Sequence, residues 1–140
     1  MNIKKLILAI AVVYAVLMGT NYLVHEVWLM ADYRSIPESW RTLSDMRHKM
    51  WIMFPGQLFF AAMFSYIYTR GRENRPWLAQ GIRYGVVMTF MTVVPYSLSE
   101  FVTYRIPYML AVKWMIAGTI QLVILGLIVA GIVWQAPSEP

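Results

Sequence analysis

Two histidines and two glutamates stand in stretches otherwise too apolar to hold them. His25 and Glu26 lie within Asn21-Tyr22-Leu23-Val24-His25-Glu26-Val27-Trp28, near the end of an apolar run that begins at Leu6, and Glu100 lies in a second such run. Ionisable groups are costly inside a membrane helix, so residues of this kind are functional candidates. His48 opens another apolar run, on the same membrane side as His25 under any four-span topology.

Three chemistries fit. Imidazole with carboxylate suits zinc or iron, which makes His25, His48 and one of Glu26 or Glu100 a candidate metal set, although the residues come from three helices and lack H-x-x-x-H or E-x-x-H spacing. Met30, Met46, Met50, Met53 and Met109 share the histidine side and offer thioethers to copper(I), although methionine also fills apolar helices in general. Haem b wants two histidines facing each other at one depth, whereas His48 sits at the interface. A quinone head group needs only one or two donors, such as His25 with Tyr104 or Glu100. The plainer account is ionic. Glu100 lies seven residues before Pro107 and Lys113 six after it, so across a tight hairpin both stand about 10 Å deep and are expected to pair, with Arg105 as competitor. Asn21, Tyr104 and Lys113 are the supporting polar residues.

These side chains need a membrane scaffold. The chain has 140 residues, of which 59% are hydrophobic and 14% charged, against about 25% charged in a soluble domain. Zero cysteines exclude disulfides, thiolate metal sites and cysteine nucleophiles. The net charge of +5 is scattered over loops and helix ends, which suits anionic lipid rather than nucleic acid. No nucleotide loop, hydrolase elbow or zinc-protease motif occurs, so no enzyme is proposed and no cofactor is named.

A bilayer core about 30 Å thick needs about 20 apolar residues per helix, and four stretches qualify: 3–30, 49–69, 76–105 and 108–134. The fold class is an all-α, four-span up-down bundle forming one domain over residues 1–140. The N-terminus imitates a signal peptide but lacks a convincing cleavage site and is read as a retained span. Trp28, Trp40, Trp51 and Trp114 belong to one aromatic belt, Trp77 and Trp134 to the other. Six basic residues lie on each side, so the Lys4-Lys5 terminus decides: both termini are expected in the cytoplasm of a bacterial inner membrane. Ser35-Ile36-Pro37-Glu38 reads as a capping box opening a short amphipathic helix over 36–47 on the outer face.

Small residues mark helix contacts in lipid. Ala11, Ala15 and Gly19 form one ladder, Gly81, Gly85 and Thr89 a second, Gly126 and Ala130 a third, while Pro55-Gly56 and Pro95 are expected to kink their helices. Through the Asn21–Val27 stretch, Trp40-Arg41, Met50-Trp51-Ile52-Met53, Gly81-Ile82-Arg83-Tyr84-Gly85 and Ile106-Pro107-Tyr108, the chain resembles small bacterial four-helix inner-membrane proteins classed as domains of unknown function. The resemblance implies the topology and no activity. The leading expectation is a non-enzymatic accessory or assembly subunit whose ladders pack against partner membrane subunits or copies of itself within membrane lipid. The alternative is a metal-, haem- or quinone-binding protein with its site near the outer face.

Overall fold

Four apolar stretches fold into four long spans, Ile3–Trp28, Leu43–Arg70, Trp77–Thr103 and Tyr108–Val133, in a computed structural model that describes residues 2–73 and 76–134. Asn74 and Arg75 of the basic hairpin lie outside the described residues, as does the segment 135–140. No strand occurs among the described residues. A 26-residue span is about 39 Å long at 1.5 Å per residue, more than the hydrocarbon core requires, so the spans tilt or protrude.

The first span is α1 (Ile3–Tyr22) followed by a π-helical turn, Leu23–Trp28, and the short α2 (Met30–Arg34) comes after the span. The second comprises α3 (Leu43–Lys49), a 3-10 turn and α4 (Met53–Arg70); the third is α5 (Trp77–Met88), a π turn at Thr89–Val93 and α6 (Val94–Thr103); the fourth is the unbroken α7 (Tyr108–Val133). Asn2 opens α1 by accepting from the Lys4 and Lys5 amides at 3.1 and 3.3 Å. Lys5 Nζ and Arg72 NH1 donate to the Trp134 and Val133 carbonyls at 2.8 and 3.2 Å, cations on the free carbonyls that end α7. The start of the first span, the link between second and third, and the end of the fourth therefore share one side. The opposite end is called the far side below.

α1 packs between α4 and α7, and α5 lies closest of all to α7. Glycine explains that closeness. A Cβ on Gly126 would stand 2.3 Å from the Gly81 carbonyl oxygen, and one on Gly85 would stand 2.5 Å from Val123 Cα. The second and third ladders are thus used against each other inside the chain. Between α4 and α5 the gap is filled by rings: Phe64 and Tyr84 lie 4.7 Å apart, and Tyr84 Oη donates to the Phe64 carbonyl at 2.6 Å. The ladder of α1 behaves otherwise. Ala11, Ala15 and Gly19 are exposed, a Cβ on Gly19 would meet nothing within 4 Å, and the face that α1 buries is Ala9, Val13 and Leu17.

Three expectations need correction. The helix expected over 36–47 is interrupted: a 3-10 turn covers Pro37–Ser39, Trp40 is extended, and α3 starts only after Thr42, whose side chain accepts from the Asp45 amide at 3.3 Å. Ser35 opens nothing; it ends α2, and its hydroxyl donates to the Asp32 carbonyl at 2.7 Å. Hydrophobic demand is the reason, because Tyr33, Ile36 and Trp40 are drawn down onto Leu29, Ile106, Leu110 and Ala111 as a second small core. Pro55 does not kink a helix interior: it lies in the first turn of α4, where its missing N–H is harmless, and the tightened 3-10 turn Met50–Ile52 precedes it. Pro95 does disturb its helix, since residue 91, whose carbonyl it cannot satisfy, falls inside the π turn Thr89–Val93.

Candidate functional site

The main core lies toward the terminal side, around Leu17, Phe64, Met88, Leu122 and Leu125, and the second caps the far side around Leu29 and Leu110. Between them the bundle leaves a cleft of about 310 Å³ to which every span contributes. The first span supplies Asn21, Val24 and His25, and the second supplies Met53. The third supplies Val93, Tyr96 and Ser97, and the fourth runs past it with Trp114, Ala117, Gly118 and Gln121. Both π turns border this space, consistent with the local widening such turns produce. Along α7 the cleft reaches from Trp114, about 9 Å below Tyr108, to Gln121, about 20 Å below it at 1.5 Å per residue. Its lining includes the exposed Met53 and Tyr96 and the buried Ser97, only 1% exposed.

The polar groups here form two chains. Trp114 Nε1 donates to Tyr33 Oη at 2.9 Å, and Tyr33 Oη stands 2.6 Å from His25 Nδ1, the Tyr33 and His25 rings stacking at 5.9 Å. Trp40 closes edge-on upon Tyr33 at 5.3 Å. Burial pushes the Tyr33 phenol up to about 12, the Trp114 bond opposing this in part. Deeper down, Gln121 Nε2 donates to Thr20 Oγ1 at 2.6 Å and to Asn21 Oδ1 at 2.9 Å. The Thr20 hydroxyl proton is already taken by the Val16 carbonyl at 2.8 Å, so Thr20 must accept here and the Gln121 amide orientation follows.

Ser97 stands apart from the other span hydroxyls. Thr20, Thr89, Thr92 and Thr119 each donate to the carbonyl four residues back, the usual way a hydroxyl is satisfied in a membrane helix. Ser97 Oγ is buried with no hydrogen-bond partner among the described residues. Ser65 Oγ shares the deficit but does not line the cleft.

Of the residues marked in the sequence as candidate ligands, His25, Asn21 and Met53 line this cleft, and Glu26, His48, Glu100, Tyr104 and Lys113 do not. Glu26 is exposed on the π turn, and His48 directs Nδ1 to the Ser44 carbonyl at 2.8 Å on the surface of α3. Tyr104 stacks on Trp40 at 6.5 Å, away from the cleft. No group of three or more His, Asp or Glu side chains placed to hold a metal occurs among the described residues, so His25, Glu26, His48 and Glu100 are not gathered into a ligand set. The expected Glu100–Lys113 pair is also corrected: Lys113 Nζ donates to both Asp32 carboxylate oxygens at 2.7 and 2.8 Å. Equal depth fixes height but not the angle about the helix axis, and Lys113 turns toward α2. Glu100 makes no ion pair among the described residues, with Arg105 or otherwise. Sequence reasoning missed Tyr33, Ser97 and Gln121. A signal existed for Gln121 alone, the sole amide in the most apolar span, whose mean hydropathy is 2.5.

No protein-family model matches the chain, and no curated protein or solved structure is significantly similar to it.

Proposed function

We propose that this is a small non-enzymatic membrane protein that holds a lipid-soluble ligand in the cleft between its two cores. The cleft itself carries this reading: all four spans converge on it with Asn21, His25, Ser97 and Gln121, and the buried Ser97 hydroxyl has no protein partner among the described residues. An apolar enclosure with a few convergent polar groups is the usual form of a small-molecule site, and about 310 Å³ falls at the lower end of its size range. Zinc and iron lack a gathered histidine and carboxylate set among the described residues, and haem lacks a facing pair of histidines. The setting belongs to the same proposal: a bacterial inner membrane with Lys4 and Lys5 on the cytoplasmic side, in keeping with the resemblance to small four-helix proteins there.

The test is native mass spectrometry of protein extracted from its host membrane in mild detergent. The wild type is expected to carry an extra lipophilic mass that is depleted in Ser97→Ala and Asn21→Leu, with helical content unchanged. Wild-type protein without any such mass contradicts the reading.

A second reading, association with another membrane subunit or a second copy, draws on one observation: the exposed Ala11, Ala15 and Gly19 face of α1. Gly19→Leu would abolish association if that face is an interface, and the fold itself has room for it.

A further inference from the structure

We infer that the cleft selects a neutral, lipid-soluble ring bearing carbonyl oxygens, an alkyl benzoquinone being the simplest case, with one carbonyl accepting a hydrogen bond from His25 Nε2. This rests on the cleft being a ligand site and names the ligand's class.

Trp114 Nε1 can only donate, so Tyr33 Oη accepts from it at 2.9 Å and still has its own proton to place. Its one acceptor among the described residues is His25 Nδ1 at 2.6 Å. Nδ1 of the neutral imidazole is therefore unprotonated, and the ring proton sits on Nε2. No protein acceptor among the described residues takes up that Nε2–H, and His25 lines the cleft. A metal ion at Nε2 would have to move that proton to Nδ1 and so displace the Tyr33 donation.

The remaining groups agree. Asn21 gives its carbonyl to Gln121, which leaves the Asn21 amide as a donor and the Gln121 carbonyl as the acceptor beside it. Ser97 adds a hydroxyl with no protein partner. Donors thus outnumber acceptors, and a formal cation would meet mainly proton-bearing groups. His25 and Asn21 stand about one helical turn apart along the first span, and both line the cleft. The position reaches from interfacial depth toward the mid-plane, so an alkyl tail can leave past Met53 and Tyr96 into lipid. Tyr33 lies outside the cleft lining and acts as a positioning residue that sets the tautomer.

The protein has two histidines, so selective 15N-histidine labelling in lipid nanodiscs resolves the site. Three probes are added separately: decyl-benzoquinone, decylbenzene and zinc chloride, with saturation-transfer NMR reporting whether each organic probe is bound. The expected result is His25 as the Nε2–H tautomer, a shift of Nε2 with the quinone alone, no movement of His48, and affinity about tenfold lower in Ser97→Ala. Tyr33→Phe is expected to let the Nδ1–H form appear and to weaken quinone binding with helical content intact. If decylbenzene binds as tightly and the quinone leaves Nε2 unmoved, the carbonyl inference is overturned while the ligand cleft survives. If neither organic probe is bound, both fall. If zinc shifts His25, or if Tyr33→Phe keeps the tautomer and the affinity, the assignment of the His25 proton is overturned.

Discussion

At the scale of single residues, Lys113 and Asp32 do the most to order the far side. Their ion pair is about one-third exposed on each partner, enough enclosure to exceed an ordinary surface pair, and it ties α2 to α7 directly beside Tyr33 and Trp114. A double-mutant cycle of Lys113→Ala with Asp32→Ala should return a coupling of about 1 kcal/mol in unfolding measurements, whereas Lys113→Ala with Glu100→Gln should be additive. Tyr33 yields a second expectation with a definite sign. Its phenol titrates at about 12 in the folded protein, above the ordinary 10, so the folded state holds the proton more firmly. Stability from this group is complete below pH 10 and falls as pH rises toward 12. The 295 nm difference between wild type and Tyr33→Phe should develop only above pH 11, and a transition near 10 would refute burial of this hydroxyl. Much of this was not legible beforehand. His25 and Asn21 stand out because charge and amide are rare in lipid, but Tyr33 and Ser97 are ordinary residue types, and only folding of the 29–40 segment onto α7 gives Tyr33 its partners.

Helices, not residues, decide how tightly the bundle closes. The α5–α7 crossing relies on Gly81, Gly85 and Gly126, where a side chain would meet backbone rather than a flexible neighbour. Gly126→Leu should therefore prevent folding or cost several kcal/mol, since overpacking alone costs about 1–3 kcal/mol where neighbours can move. Gly19→Leu should leave thermal unfolding within a degree or two, because α1 has open space there. Equal damage from the two substitutions, read by thermal unfolding in detergent, would contradict the packing described. Span number, helix class and the Pro95 disturbance were readable, because hydropathy and the missing proline N–H act locally. The direction of each small-residue ladder was not, since Gly19 and Gly85 look alike until azimuth is known. The π turn at Leu23–Trp28 has no proline to announce it.

At the scale of the whole molecule, two apolar cores are separated by a mostly apolar cleft that carries a few polar groups. The start of α1 and the end of α7 lie on one side, with Lys5 on the last carbonyls of α7. The absence of native cysteine allows single-cysteine mapping: Glu38→Cys should react with a membrane-impermeant maleimide added outside intact cells, and Asn2→Cys should react only after lysis. The reverse pattern would invert the proposed orientation. The cleft makes the central claim, and photolabelling addresses it most directly. An alkyl benzoquinone carrying a diazirine on the tail carbon next to the ring is irradiated with the protein in nanodiscs, and the modified residues are mapped by mass spectrometry. Labelling concentrated at Val24, Met53, Ala117 and Gly118, and competed by unlabelled quinone, is the predicted result. Label spread over lipid-facing residues such as Phe59 and Phe90, 69% and 70% exposed, and indifferent to competitor, would contradict it.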